Sequence, residues 1–473
     1  MPDYNLIIDG KKVATTETFP VINPATEEVI AQCPKATEEH LNQAVAAARR
    51  AFPAWSATPD AERSRIVHAI ADALEAHSEE LTKLLTLEQG KPGVGFAGMG
   101  AGFEIGGTLA WAHATADLEL PVEVIQDNDE ARIEVHRKPL GVIGSITPWN
   151  FPLMIAIWHT MPALRSGNTV VIKPSEFTPL TTLRAAEIIN EIVPPGVFNI
   201  VTGDGRLGAA ISSHPDINKI VFTGSTPTGK KIMESAAGSL KRITLELGGN
   251  DAAIVLADTD VAAAAPKIFA TALFNNGQTC AALKRLYVHE DIYDDMCAAL
   301  AAIAGSVTTG DGSGNVDFGP IQNKTQYEKV CTIAREAKNS GARFLTGGEP
   351  TAGAGYFFPV TIVADIADDE RLVAEEPFGP ILPILKFSDV EDALRRANDS
   401  SNGLGGSVWS SDVAAASALA SRLECGTAWV NSHATIQPNM PFGGVKESGM
   451  GVEFGRYGLE EYTNIQSLYI AKG

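Results

Sequence analysis

Between residues 140 and 222 the chain alternates short apolar runs with helix-like stretches, and this alternation restricts the fold more than any other feature. An apolar run at 140–146 leads into a helical pattern that reaches residue 165. Runs at 169–172, 198–201 and 217–222 follow, with a helix expected over 179–192 and a shorter one before residue 217. Continuous apolar strands, unlike alternating ones, are buried on both faces. Repeated strand-then-helix units with short Gly and Pro joins therefore specify a parallel sheet covered by helices on each side. Runs at 243–247 and 252–256 mark a hand-over to a second α/β unit, which continues through 287–288, 344–345, 381–387 and 428–430.

Ahead of the sheet, residues 37–87 read as two helices. Leu41, Val45 and Ala48 form one stripe, and Ile66, Ile70 and Leu74 form a second, with Thr58 as the expected cap and Pro59 in the first turn. A length of 473 residues exceeds a single ordinary core, so two or three domains are expected. The formal charge of −20 repels both a phosphate backbone and an anionic leaflet, which argues against nucleic-acid and membrane-surface roles. The uncharged stretch 139–164 is broken by Pro148, Asn150 and Pro152, so it reads as core. Met1-Pro2-Asp3-Tyr4 starts no basic-then-apolar leader, and five cysteines without a CxxC pair suit a reducing compartment. The expected location is cytoplasmic. With no HExxH pair and no cysteine cluster, no metal is expected.

The most informative segment is Phe274-Asn275-Asn276-Gly277-Gln278-Thr279-Cys280. A cysteine just past a Gly-Gln turn and a helix pattern sits where backbone amides can favour the thiolate, the form that acts as nucleophile. A lone cysteine is by default a small buried apolar residue, and Cys33, Cys297, Cys331 and Cys425 keep that reading. Glu246 lies 34 residues upstream in Leu245-Glu246-Leu247-Gly248-Gly249-Asn250, at the end of an expected strand. Burial there raises a carboxyl pKa toward the range of a general base, unless the group is a structural partner of an amide or a lysine. Asn150, held between Pro148 and Pro152, is a candidate oxyanion donor or a turn residue satisfying its own backbone.

Two glycine patterns compete for a dinucleotide. Gly203, Gly205 and Gly208 match GxGxxG but fall late in the series, with no acidic residue cleanly ending the next strand. Gly224-Ser225 through Gly229 also follows a strand and opens a helix whose amides could face a pyrophosphate. Lys173 and Glu176 end another strand, where they could hold ribose hydroxyls. Glu176 would repel a 2′-phosphate, which favours NAD over NADP, although NADP remains open.

Taken together, these words resemble the aldehyde dehydrogenase superfamily from end to end. They are Trp149-Asn150-Phe151-Pro152, Lys173 to Glu176, Phe222 to Ser225, Glu246 to Asn250, Gly277 to Cys280, Glu376-Pro377-Phe378-Gly379-Pro380, and Pro441 to Gly444 with Lys446, Ser448 and Gly449. The resemblance implies an α/β fold: a Rossmann-like parallel-sheet cofactor domain (1–116 and 139–248), a second α/β catalytic domain (249–447) and a small β oligomerisation element (117–138 and 463–473). It implies Cys280 as nucleophile, Glu246 as general base for water, and Asn150 with the Cys280 amide as oxyanion hole. Lys173 and Glu176 would hold the adenosine ribose, Gly224, Ser225 and Gly229 would border the pyrophosphate, and Glu376 and Phe378 the nicotinamide side. Ile146 and Trp149 join the cofactor set, and the loop at Gly203 would border the adenine. Phe151, Trp158, Ile436 and Phe442 would line the substrate tunnel, an apolar wall suited to neutral aliphatic or aromatic aldehydes. Glu453 matches a position that assists proton relay in some relatives, and His433 departs from familiar subfamilies as a polar contact or, more simply, a loop histidine.

The expected activity is NAD-dependent, non-acylating oxidation of an aldehyde to the acid, in a homodimer or homotetramer. A CoA-acylating semialdehyde dehydrogenase is the near alternative, although a deacylating Glu246 has no use when a thiol accepts the acyl group. A cofactor-independent thiol esterase and a catalytically retired structural protein are the more distant ones.

Overall fold

The computed structural model describes residues 4–473, among which there are two large sheets and three smaller ones. The first sheet has eight strands. Its five central strands run parallel in the order Phe198–Ile200, Thr169–Lys173, Val142–Ile146, Lys219–Thr223, Arg242–Glu246. Every residue of Val142–Ile146, Thr169–Lys173 and Lys219–Thr223 is buried, as the continuous apolar text requires. Leu6–Ile8 with Lys11–Val13 closes one edge antiparallel, and Gly449–Met450 closes the other beside Glu246. The strand order reverses between Val142–Ile146 and Lys219–Thr223. In an open α/β sheet, ligands bind at such a reversal, outside the carboxyl ends of the strands.

The second sheet has seven strands in the order Arg343–Thr346, Thr361–Ala364, Ile381–Phe387, Leu283–His289, Asp251–Val255, Gly405–Trp409, Thr427–Val430, all parallel except the first. Four residues, 247–250, join the last parallel strand of one sheet to the first of the other. The carboxyl edge of the first sheet is thereby brought against the amino edge of the second, where Cys280 precedes Leu283–His289. A third, three-stranded antiparallel sheet pairs Thr463–Ala471 with Ala131–Pro139 and that strand with Glu123–Asp127.

Two expectations about the leading helices are corrected. Residues 37–87 hold three helices, Glu38–Ser56, Asp60–Glu75 and Ser78–Gln89, because the chain breaks helical phase at Ala76 and His77 before the Leu81 and Leu85 stripe resumes. Thr58 does not cap the second helix. Its hydroxyl donates to the carbonyl of Ala54, serving the end of the preceding helix, and Pro59 occupies the cap position.

Candidate active site

A cleft of about 190 Å³ opens where the two sheets meet. The first sheet contributes Trp149 and Asn150 from the loop after Val142–Ile146, and Gly224 and Ser225 from the loop after Lys219–Thr223, the two loops that flank the strand-order reversal. The second contributes Cys280, Glu376 and Phe378. Sequence positions more than 200 residues apart thus converge on one cavity.

The Cys280 loop is shaped by its backbone. Asn275, Asn276 and Gly277 all take positive φ, and at Gly277 a Cβ would lie 2.1 Å from the carbonyl oxygen of Gly379, so only glycine fits. Asn150 is buried within a polar network. Its side-chain amide donates to the carbonyl of Gln278 at 2.9 Å, leaving the second N–H of that amide to serve another acceptor. Its own carbonyl accepts from Lys91 at 2.8 Å and from Asn275 at 2.9 Å. Lys91 forms a fully buried ion pair with Glu104, whose other oxygen accepts from the amides of Leu153 and Met154 at the start of helix Pro152–Arg165. Stranding either charge would cost about 3–5 kcal/mol, so this pair holds the Asn150 loop stiffly.

Glu246 ends its strand behind the cleft, 4% exposed, and neither carboxylate oxygen has a hydrogen-bond partner. Burial, and then the nearby Glu453, hold its pKa well above the ordinary carboxyl value. Glu453 is itself buried, 3.3 Å from the His159 ring. The expectation that backbone amides favour a Cys280 thiolate is corrected: burial pushes the thiol up to about 12, Lys284 opposes this, and Glu376, Glu246 and Asp251 reinforce it. Desolvation outweighs the local cation.

Lys173 is buried and its pKa is lowered by that burial, with Glu176 3.5 Å away at the surface. Gly208, of the GxGxxG pattern, lies on helix Gly205–Ser213 and packs where a Cβ would touch both Lys173 and Ile146 at 3.9 and 4.0 Å, so these three form one wall beyond the cleft. Gly229 packs against Leu247, and the helix Thr226–Ala237 opens at Ser225 without a side-chain cap; Pro227 has no N–H and the Thr228 and Gly229 amides donate to the Ser225 carbonyl, which leaves the Ser225 and Thr226 amides for an anion. Gly248 permits close approach, since a Cβ there would lie 2.3 Å from a Glu376 oxygen. An anion-accepting helix start, a buried lysine beside a carboxylate and a glycine-lined floor fit a dinucleotide.

Phe442 packs in one apolar cluster with Ala281 and Phe454, and Trp158, Ile436 and Cys280 pack against it. Phe151 belongs to an adjoining cluster, also touched by Trp158. Sequence reasoning missed Phe454, whose ring lies 4.6 Å from Trp158, 5.4 Å from Trp111 and 5.9 Å from Phe442. It also missed Lys91 and Lys284. A lysine entering a strand otherwise buried on both faces was the available signal for Lys284. His433 sits in a loop but is buried, where its ring makes a polar contact with Ser407 at 2.9 Å and lies tilted against Trp429. Among the described residues, one trio with metal-ligand chemistry, Asp72, Glu75 and His113, is largely solvent-facing.

The sequence profile described as the aldehyde dehydrogenase family matches residues 12–468. The phenylacetaldehyde dehydrogenase of Pseudomonas fluorescens is 42% identical over 488 residues, covering 99% of this chain and 96% of that protein. An aldehyde dehydrogenase of Aspergillus niger is 40% identical, covering 99% and 95%. Among solved structures, the NAD+ complex of an aldehyde dehydrogenase from Bacillus cereus superposes with a TM-score of 0.96 at 38% identity, covering 100% of this chain and 97% of that one.

Proposed function

The chain belongs to the aldehyde dehydrogenase family and is an NAD-dependent enzyme that oxidises an aldehyde; from that premise we propose that it works by covalent catalysis at Cys280 and passes the acyl group to water. The supporting observation is the single cleft that gathers Cys280, Asn150 and Glu376 at the strand-order reversal, with the unpartnered carboxylate of Glu246 buried behind it.

A trigonal aldehyde carbon cannot release hydride without leaving an acylium ion, so addition must come first. The Cys280 sulfur, once deprotonated, adds to the carbonyl carbon, and the C=O electron pair becomes an oxyanion. Asn150 Nδ2 and the Cys280 amide donate to that oxygen, each donor contributing about 3–4 kcal/mol in sites of this type. Oxidised NAD, when bound, supplies the hydride acceptor. Lys173, Glu176, Gly224, Ser225 and Gly229 would hold it, with Ile146 and Trp149 along its wall and Glu376 and Phe378 at the reacting end. The resulting thioester on Cys280 is cleaved by water as Glu246 takes the water proton. The C–S bond breaks, the acid leaves, and one proton is released per turnover. Glu453 is taken as the next proton acceptor, supported by its charge bearing on Glu246 and its place 3.3 Å from the His159 ring.

The substrate class we assign is neutral aromatic or aliphatic aldehydes. Trp158, Phe442 and Phe454 form an aromatic wall beside Cys280, and Lys91, 4.0 Å over the Phe151 ring, is already committed to Glu104 and the Asn150 carbonyl. The relative named for phenylacetaldehyde supports the aromatic choice. NADH formation across a panel of aldehydes, without CoA, should show phenylacetaldehyde favoured over carboxylated aldehydes and NAD over NADP. Trp158→Ala should lower kcat/KM for phenylacetaldehyde by about 10–100-fold and for acetaldehyde far less. A requirement for CoA, or ester cleavage without NADH, would replace this reading by acyl transfer to a thiol or by simple hydrolysis.

Residues 1–116 with 139–248, 249–447, and 117–138 with 463–473 are taken as the cofactor, catalytic and oligomerisation parts, supported by the three largest sheets, which follow these bounds except that Gly449–Met450 edges the first sheet and Pro139 ends a strand of the third. The third sheet exposes Ile125, Ile465 and Tyr469 at 61–64%, which supports a homodimer or homotetramer through that face. Sedimentation should find two or four chains, and a monomer would count against it. No helix among the described residues is long and apolar enough to cross a membrane. The free cysteines support a reducing, cytoplasmic setting.

A further inference from the structure

Lys284 lies four residues after Cys280 in a strand whose residues are buried up to His289, and its side chain is 3% exposed. An ammonium taken out of water needs each of its three hydrogens placed. Here Nζ donates to the carbonyl of Thr279 at 2.6 Å, to the carbonyl of Cys280 at 2.9 Å and to Glu376 Oε1 at 2.8 Å. Glu376 in turn accepts from the amide of Gly249 at 3.3 Å, in the four-residue link between the sheets. One buried cation therefore joins the nucleophile's own peptide unit to the residue assigned to the nicotinamide side.

We propose that Lys284 is a positioning residue for this reaction. It clamps the Thr279 and Cys280 carbonyls, which fixes the orientation of the Cys280 loop, and it supplies the positive charge that offsets the carboxylates around the sulfur. The proposal rests on Cys280 being the nucleophile. The charged groups facing the thiol are Lys284 on its own strand, Glu376 from the loop after Arg371–Ala374, Glu246 from the end of the first sheet, and Asp251 from the adjacent strand; among these charges Lys284 acts most strongly. Lys329, on helix Lys324–Asn339, faces the Glu376 side and feels Lys284 as a like charge.

The test is the rate of Cys280 alkylation by iodoacetamide as a function of pH in the full-length enzyme, with the modified position identified by peptide mass spectrometry. Lys284→Met should slow alkylation about tenfold at a given pH, equivalent to a thiol pKa about one unit higher. Lys284→Arg, which keeps the charge, should stay within about threefold of wild type. Glu376→Gln should move the rate the opposite way, because it removes a carboxylate and leaves the ammonium uncompensated. A purely structural lysine would not produce shifts of opposite sign from the two partners. Should Lys284→Met fail to fold, Lys284→Gln, which removes the charge but keeps an N–H donor, decides in its place. Rates within twofold of wild type at every pH in the charge-removing Lys284 variant would overturn the proposal. If wild-type enzyme alkylated at Cys280 still oxidised aldehyde, the covalent reading of the site would fall instead.

Discussion

Cys280→Ser abolishes aldehyde oxidation while leaving NAD affinity within about twofold of wild type: this is the largest effect expected of any single substitution. The thiol is already hard to ionise, pushed up to about 12 by burial and by three carboxylates. A serine hydroxyl is far less acidic, and the charges that act most strongly at this position, Lys284 and three carboxylates, include no imidazole. Loss of a nucleophile typically lowers turnover by three orders of magnitude or more, about 4 kcal/mol or above in the barrier. The cofactor contacts assigned to Lys173, Glu176, Gly224 and Ser225 do not involve the sulfur, so binding should persist. NADH formation and a fluorescence titration with NAD measure the two separately. More than a tenth of wild-type turnover in the serine variant would remove Cys280 from its role.

Glu246→Gln is expected to split the reaction at its midpoint. The first turnover should release about one NADH per active site, after which the steady state falls by about 10²–10⁴-fold, the usual contribution of a positioned general base. Stopped-flow absorbance shows both phases. Coenzyme A distinguishes the mechanisms: if it restored turnover in the wild type or were required by it, water would not be the acyl acceptor. The same substitution should stabilise the protein near neutral pH, because the amide carries no charge, whereas the buried carboxyl must keep a proton that the unfolded chain gives up. The sign follows from its raised folded-state pKa. The folded protein keeps a proton on Glu246 that the unfolded chain releases, so stability declines as pH climbs from the unfolded carboxyl range through the folded value. Activity runs the other way, since the base works only when ionised. In Glu246→Gln this contribution to the pH dependence of the thermal midpoint should disappear; an unchanged slope would show that Glu246 is ionised in the folded enzyme.

How much of this was readable before the coordinates depends on how locally each feature is encoded. Strands such as Val142–Ile146 and Thr169–Lys173 stood out because burial on both faces demands an unbroken apolar run. Gly405–Trp409 did not, because it opens on two glycines that carry no apolar signal, and Asp251 and Trp429 pack where a Cβ at Gly405 would sit. Helix boundaries failed at Thr58 and near His77, where capping is settled by side-chain geometry that spacing alone does not encode. Within the site, Cys280 past a Gly-Gln turn, Glu246 at a strand end before two glycines and Asn150 between two prolines were legible as unusual placements of those residue types. The thiol's environment was not, since it depends on carboxylates at 246, 251 and 376 that converge only through the fold. Phe454 was hidden for a related reason. It takes φ of 68° beside Glu453, and its place in the aromatic wall comes from a loop crossing that no periodicity signals.

The most direct measurement is intact-protein mass spectrometry of the Glu246→Gln variant after incubation with NAD and phenylacetaldehyde. A covalent sulfur intermediate awaiting water predicts one added acyl group per chain, mapped to Cys280 by peptide digestion and lost on treatment with hydroxylamine. Unmodified protein, in a sample that has nevertheless released its burst of NADH, would contradict it.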